Sequence, residues 1–322
     1  MEIRSSLPPC ARQQTISIVR VRYAVLGAGG LGGFVAGALA RAGADVLFLL
    51  RPETLARHPA RLRVESVVLG DFEADVATVA VLDREVDVLW VTVKATQLAP
   101  ALELAPPERV GAAVLVPLLN GVAHVQVLRG RYAHVLAATT RVESERVEPG
   151  LVRQTSPFAR FDLGPGRRRD EIGDDLRAAG LEVALAADER TMLWEKLAFL
   201  APLALTTTAL GAPIGDVQAD REWNDRLMRC HDEAVAVALA EGAKLDPPRF
   251  RGELLGFPGG QGRTSMQKDF DASRPLELDA IAGPIVRGGR LHGIATPATD
   301  ELVRLGRADA MARRAEIEAY LA

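Results

Sequence analysis

The sequence predicts an α/β N-terminal domain, a Rossmann-type doubly wound sheet, followed by an all-α C-terminal domain, and three observations carry that prediction. A β-branched apolar run from Val21 to Leu26 ends in GAGGLGG just ahead of a helical pattern. Short apolar strands then alternate with helices as far as about residue 187. Beyond that point strand signals stop and helical periodicity takes over. At 322 residues the chain is long for a single core, and two domains are expected, 21–187 and 188–322. Residues 1–20 carry two prolines and polar runs, and they read as a disordered extension ahead of the first strand or as the product of an upstream start codon.

The opening is a βαβ unit: strand Val21–Leu26, a helix from Leu31 to about Arg41, and strand Asp45–Leu50. Further strands are expected at Leu62–Val64, Val76–Val81, Val86–Val93 and Ala113–Leu119, with a helix near Thr96–Leu104. Segments near Val135–Thr140, Leu151–Thr155, Phe158–Leu163 and Leu181–Ala186 should extend this mostly parallel sheet with antiparallel members. Helices follow at 189–210, 221–242, 247–255, 264–271, 275–290 and 297–320, with breaks at Asp216–Asp220, Asp246–Pro248, Gly256–Gly262 and Gly293–Pro297.

Composition narrows the function classes. Apolar residues make up 48%, charged residues 25% and aromatics 5%, as in a soluble globular protein. A net charge of -3 without a basic run speaks against nucleic acid or an anionic membrane as partner. Cys10 and Cys230 lie far apart and form no CxxC, so neither a disulfide framework nor a metal site is expected. With no apolar signal segment in residues 1–20, the reading is a cytoplasmic protein acting on a small molecule.

Gly27-Ala28-Gly29-Gly30-Leu31-Gly32 satisfies GxGxxG between a strand and a helix. Gly27 permits the tight turn, Gly29 admits a pyrophosphate to the backbone, and Gly32 lets helix and strand pack closely. The loop alone does not separate NAD, FAD and methyl-donor enzymes. The second strand ends Leu49-Leu50-Arg51, a guanidinium where NAD-binding versions carry an acid, which favours the 2′-phosphate of NADP(H). The alternative is that Glu53 takes the ribose and Arg51 is a solvated loop charge. Lys94 and Asn120 follow two predicted parallel strands, at the edge where ligands bind in open α/β sheets.

Read in order between about Val21 and Pro297, GAGGLGG, LLR, VTVKATQ, LLNGV, LWEKLA, Ser-Met-Gln-Lys-Asp, LELDAIAG and LHGIATP resemble the ketopantoate reductase family. The resemblance implies an NADPH-bound enzyme that reduces a branched 2-oxo acid to the 2-hydroxy acid, 2-dehydropantoate to pantoate by default. It also implies Lys196 as the catalytic lysine, Asn120 and Lys94 as residues lining cofactor and site, and Arg51 as the 2′-phosphate contact. Ser265 matches a substrate-binding serine and Glu277 a glutamate at the cofactor and active site. A homodimer is left open. The chemistry agrees, because a ketone taking up hydride develops negative charge on oxygen that a nearby ammonium stabilises and protonates.

The chain departs from the family where asparagines normally bind the oxo acid. Leu200 and Ala204 stand four and eight residues after Lys196, and Ile214 and Gly262 occupy two further such positions. Leu200 and Ala204 should therefore line the substrate site as an apolar wall, favouring a more apolar ketone. Two other readings compete. The 3-hydroxyacid dehydrogenase group also joins a Rossmann domain to helices around a lysine, but its glycine-rich lysine motif is absent from LWEKLA. A non-catalytic NADPH-binding sensor or scaffold would explain the missing asparagines.

Overall fold

The strands of the N-terminal half owe their pattern to burial on both faces. Tyr23 and Val25 enter one core, while Ala24 and Leu26 enter another on the opposite side of the sheet. The computed structural model describes residues 21–307. The expected extension at 1–20, Cys10 and the C-terminal part of the 297–320 helix lie outside the described residues.

In chain order the strands are β1 (Arg22–Leu26), β2 (Asp45–Leu49), β3 (Arg61–Ser66), β4 (Phe72–Asp75), β5 (Ala77–Val79) and β6 (Val88–Val91). They continue with β7 (Val114–Pro117), β8 (Ala138–Arg141), β9 (Ser144–Glu148), β10 (Leu151–Gln154), β11 (Arg160–Leu163) and β12 (Glu182–Leu185). Among them lie helices α1 (Gly30–Arg41), α2 (Pro52–Leu55), α3 (Leu98–Leu102), α4 (Pro107–Val110), α5 (Ala123–Arg129) and α6 (Arg169–Ala178). Then come α7 (Glu189–Leu210), α8 (Ile214–Ala219), α9 (Arg221–Ala240), α10 (Pro247–Leu255), α11 (Ser265–Asp271), α12 (Leu278–Ile281) and α13 (Gly283–His292), with a further helix over 297–307.

The central sheet is all parallel, in the order β5-β2-β1-β6-β7. Chain order reverses between β1 and β6, so the loops after β1, β6 and β7 open on one edge, the usual ligand edge of such sheets. The later strands do not extend this sheet as expected. β4-β3-β10-β9 form a second sheet and β12-β11-β8 a third, the latter touching β7 through a single bridge between Leu115 and Val135. The cause is the surface of α1. A Cβ on Gly33 would meet Val152 at 2.4 Å and one on Gly37 would meet Val64 at 2.7 Å, so the apolar face of β3 and β10 packs onto a glycine stripe.

The helical half is built on α7 and α9, whose facing side chains share one core. Caps set their starts: Asp188 accepts from the Arg190 and Thr191 amides, and Asp220 from those of Glu222 and Trp223. Two details differ from expectation. Residues 216–219 are not a break but belong to α8, and Asp220 serves as the cap of the next helix. The expected 275–290 helix is divided at Ala282, because Gly283-Pro284 starts a new one. No helix among the described residues is long and apolar enough to cross a membrane.

Candidate active site

The glycine-rich turn is shaped by close contacts. Gly27 has φ of +108°, and Gly32 sits so near that a Cβ on it would fall 2.0 Å from the Gly27 carbonyl. Thr92, after β6, donates to the carbonyls of Leu26 and Gly27 at 3.1 and 2.9 Å, tying the turn to the neighbouring strand. A Cβ on Gly29 would meet nothing within 4 Å. Helix α1 begins there with no side-chain cap and no acid in its first turn. Open space in front of unpaired amides at a helix start fits a dinucleotide pyrophosphate. Ala28 is buried and Leu31 half-buried behind the turn. Arg51 follows β2 as an exposed residue at the start of α2, with Glu53 exposed in the same turn.

Lys94 and Asn120 leave the same sheet edge after β6 and β7, and both meet the helical half. The Glu277 carboxylate, only 7% exposed, accepts from the Ala95 amide at 2.9 Å and from Asn120 Nδ2 at 3.3 Å. Lys94 Nζ pairs with Asp269 of α11, a 2% exposed carboxylate that also accepts from Arg274 Nε at 2.8 Å. Backbones touch as well: a Cβ on Gly121, whose φ is +87°, would lie 2.2 Å from the Ala280 carbonyl.

Lys196 lies two turns into α7. Enclosure of its ammonium pushes the pKa down to about 8, while the Glu277 charge opposes that shift; Arg141 lowers it and Asp162 raises it. Part of the lysine still reaches solvent. An amine balanced this way is largely protonated at neutral pH yet gives up its proton readily, as a proton donor to a nascent alkoxide requires. His124, in the first turn of α5, is 7% exposed, and neither ring nitrogen has a hydrogen-bond partner among the described residues. Burial, with help from the Lys196 charge, pushes its pKa down to about 4.

The structure thus gathers Lys94, Asn120, Glu277 and Lys196 around one cleft. Ser265 opens α11 one turn before Asp269 and is exposed, outside that hydrogen-bond network. Leu200 is half-buried against the helical core. Ala204 does not continue an open wall: it is 1% exposed within that core. Eight residues of helix turn roughly 80° past a full repeat, which rotates Ala204 away from the face that Lys196 occupies. Ile214 is likewise buried, and its amide bonds to the carbonyl of the exposed Gly262 at 3.3 Å. His124 and Arg141 had no sequence signal, and Asp269 had only its place at the end of the Ser-Met-Gln-Lys-Asp segment, because each matters through what the fold sets beside it.

Comparison with known proteins extends this picture. Residues 23–168 match the family model described as ketopantoate reductase PanE/ApbA, and residues 188–310 match its C-terminal counterpart. A 2-dehydropantoate 2-reductase of Mycobacterium tuberculosis (strain H37Rv) is 33% identical over 88% of this chain and 95% of its own length. An oxidoreductase of Bacillus subtilis without a defined reaction is 25% identical over 86% of this chain and 95% of its own. Among solved structures, a PanE/ApbA family ketopantoate reductase from Ralstonia eutropha superposes with a TM-score of 0.82 at 26% identity, covering 91% of this chain and all of that one. A D-mandelate dehydrogenase solved with NADH and anilino(oxo)acetate shares the fold, at a TM-score of 0.81 and 21% identity over 91% and 99%.

Proposed function

The chain belongs to the ketopantoate reductase family, and from that premise we propose that it reduces the ketone of a 2-oxo acid with NADPH, 2-dehydropantoate being the default substrate. Membership makes it an oxidoreductase acting on CH–OH groups with a nicotinamide cofactor. The single observation that carries the finer reading is the placement of Lys196, with a pKa near 8, in the cleft where Asn120 and Glu277 meet.

The Gly27–Gly32 turn and the start of α1 would hold the pyrophosphate, and Arg51 would answer a 2′-phosphate. The bound nicotinamide supplies the hydride. Lys196 holds a proton within the cleft, stabilises the oxygen that becomes negative, and delivers the proton from Nζ to it. Glu277 keeps that proton on the lysine and orients Asn120 by accepting its amide. Lys94, just after β6, is neutralised by Asp269 and so ties the sheet edge to α11.

The decisive experiment is NADPH oxidation with a panel of 2-oxo acids and ketones, in the parent and in Lys196→Ala. Turnover in the parent and a loss of at least ~10²-fold in the variant, with NADPH binding kept, are expected for a proton donor that also stabilises an oxyanion. Cofactor binding without turnover in the parent would refute the reductase reading. A preference for a more apolar ketone is a second reading, supported by Leu200 one turn beyond Lys196 in place of a hydrogen-bonding residue. Leu200→Asn should then shift preference back toward a hydroxylated acid.

A further inference from the structure

Strand β8 carries the chain from the lysine helix toward the dinucleotide turn. Just before it, Ala137 packs with Met192 and Leu193 of α7. Just after it, Ser144 lies against the turn, where a Cβ on Gly30 would come within 2.3 Å of the Ser144 carbonyl. Arg141 ends β8 between these two anchors.

Alternation fixes which way it faces. Ala138 and Thr140 share a side of the sheet with their partners Leu163 and Phe161, the side sealed into the N-terminal core. Ala137, Thr139 and Arg141 share the other side, with Asp162 opposite Thr139 and Arg160 opposite Arg141. That is the side packed against α7. The charges agree, since Arg141 acts electrostatically on both Lys196 and Glu195 of that helix.

The other cations of the cleft already have acids. Lys94 is paired with Asp269, Arg160 with Asp162, and Lys196 feels Glu277. Arg141 is exposed, and its guanidinium makes no hydrogen bond or ion pair with any of the described residues. Glu195, the acid of α7 on which Arg141 acts, is half-buried and likewise forms no ion pair among them. A 2-oxo acid carries its carboxylate one bond from its ketone carbon, so the cation that holds the carboxylate must stand beside the proton donor. We propose that Arg141 binds the substrate carboxylate and so orients the ketone toward Lys196, taking over the anchoring that Leu200 and Ala204 cannot give. The proposal rests on the 2-oxo acid reductase reading. A planar guanidinium fits a carboxylate through two parallel hydrogen bonds, which sets orientation as well as affinity.

The test compares the parent, Arg141→Ala and Arg141→Lys in NADPH oxidation with a 2-oxo acid and with its methyl ester. In Arg141→Ala the KM for the acid should rise about tenfold or more and kcat for the acid should fall as well, because the contact both holds the acid and orients its ketone toward Lys196. The KM for the ester and the affinity for NADPH should stay as in the parent, and Arg141→Lys should recover part of the loss. An unchanged KM for the acid overturns the proposal. So does a parallel fall in NADPH affinity, which would give the guanidinium to a cofactor phosphate. Titration of the NADP+-loaded proteins with the same acid is read independently of turnover. If the parent binds the acid but does not reduce it, the reductase reading fails while the loss or survival of binding in Arg141→Ala still decides the role of Arg141; no binding by the parent overturns both.

Discussion

Removing the charge of Glu277 while keeping its shape tests the electrostatic design of the cleft. Glu277→Gln retains an acceptor for the Ala95 amide but withdraws the negative charge that favours the protonated form of Lys196. With the lysine pKa near 8, about nine tenths of the parent carries the proton at pH 7, about half at pH 8 and roughly a tenth at pH 9. Loss of one nearby opposite charge lowers proton affinity by about tenfold or more. On that basis the variant should retain about half of the parent rate at pH 7, roughly a fifth at pH 8 and about a tenth at pH 9. The sign follows from the role: reduction needs the protonated amine, so activity falls as pH rises through the lysine pKa, and the variant falls earlier. The assay is kcat for NADPH oxidation between pH 6 and 9.5 with saturating substrate. A variant slowed by one constant factor at every pH would show that Glu277 serves geometry alone.

Arg51→Ala should weaken NADPH binding by about 1.5–3 kcal/mol and leave NADH binding unchanged, measured by titration of both cofactors; equal affinities in the parent would exclude the 2′-phosphate contact. His124→Leu should stabilise the protein by about 1–3 kcal/mol at neutral pH, because it removes two buried ring nitrogens that lack partners. That gain should grow on acidification: the folded pKa is about 4 against 6.5 for the free side chain, so the unfolded chain binds the extra proton between those values and parent stability falls from pH 6.5 toward 4, by on the order of 3 kcal/mol. Denaturant melts at pH 7 and pH 4.5 read both effects, and a destabilised variant would mean that the ring holds bonds through ordered water.

The central sheet was legible because burial on both faces leaves continuous apolar runs, and α7 and α10 because their starts are written as Asp188 and as Asp246-Pro247. Strand partners were not. Nothing local tells Leu62, Val64 and Val152 to pack on the glycines of α1 instead of lengthening the parallel sheet. At the site, the cofactor turn, Lys94, Asn120, Lys196 and Glu277 stood out as motifs. Asp269 lay inside a quoted segment but gained meaning only as the partner of Lys94, 175 residues away. Ala204 shows the limit of helical spacing: i+4 keeps a residue near the same face, whereas i+8 has drifted into the core.

The bond between Lys94 and Asp269 joins the chain just after β6 to α11 of the helical half, and it bears on how those two parts come apart. Lys94 is 39% exposed while Asp269 is 2% exposed, so parting them hands the lysine to water and leaves the carboxylate enclosed with Arg274 as its remaining counter-charge. Opening is therefore uphill for one partner only, and the pair acts as a latch sprung from the helical side. Dissolved ions reach the freed lysine and not the acid, so rising ionic strength should favour release by screening the exposed partner and weaken the seated pair to the same degree. Where ligand release limits turnover, the rate would then track the salt concentration of the medium, even though neither residue takes part in the transfer of hydride or proton.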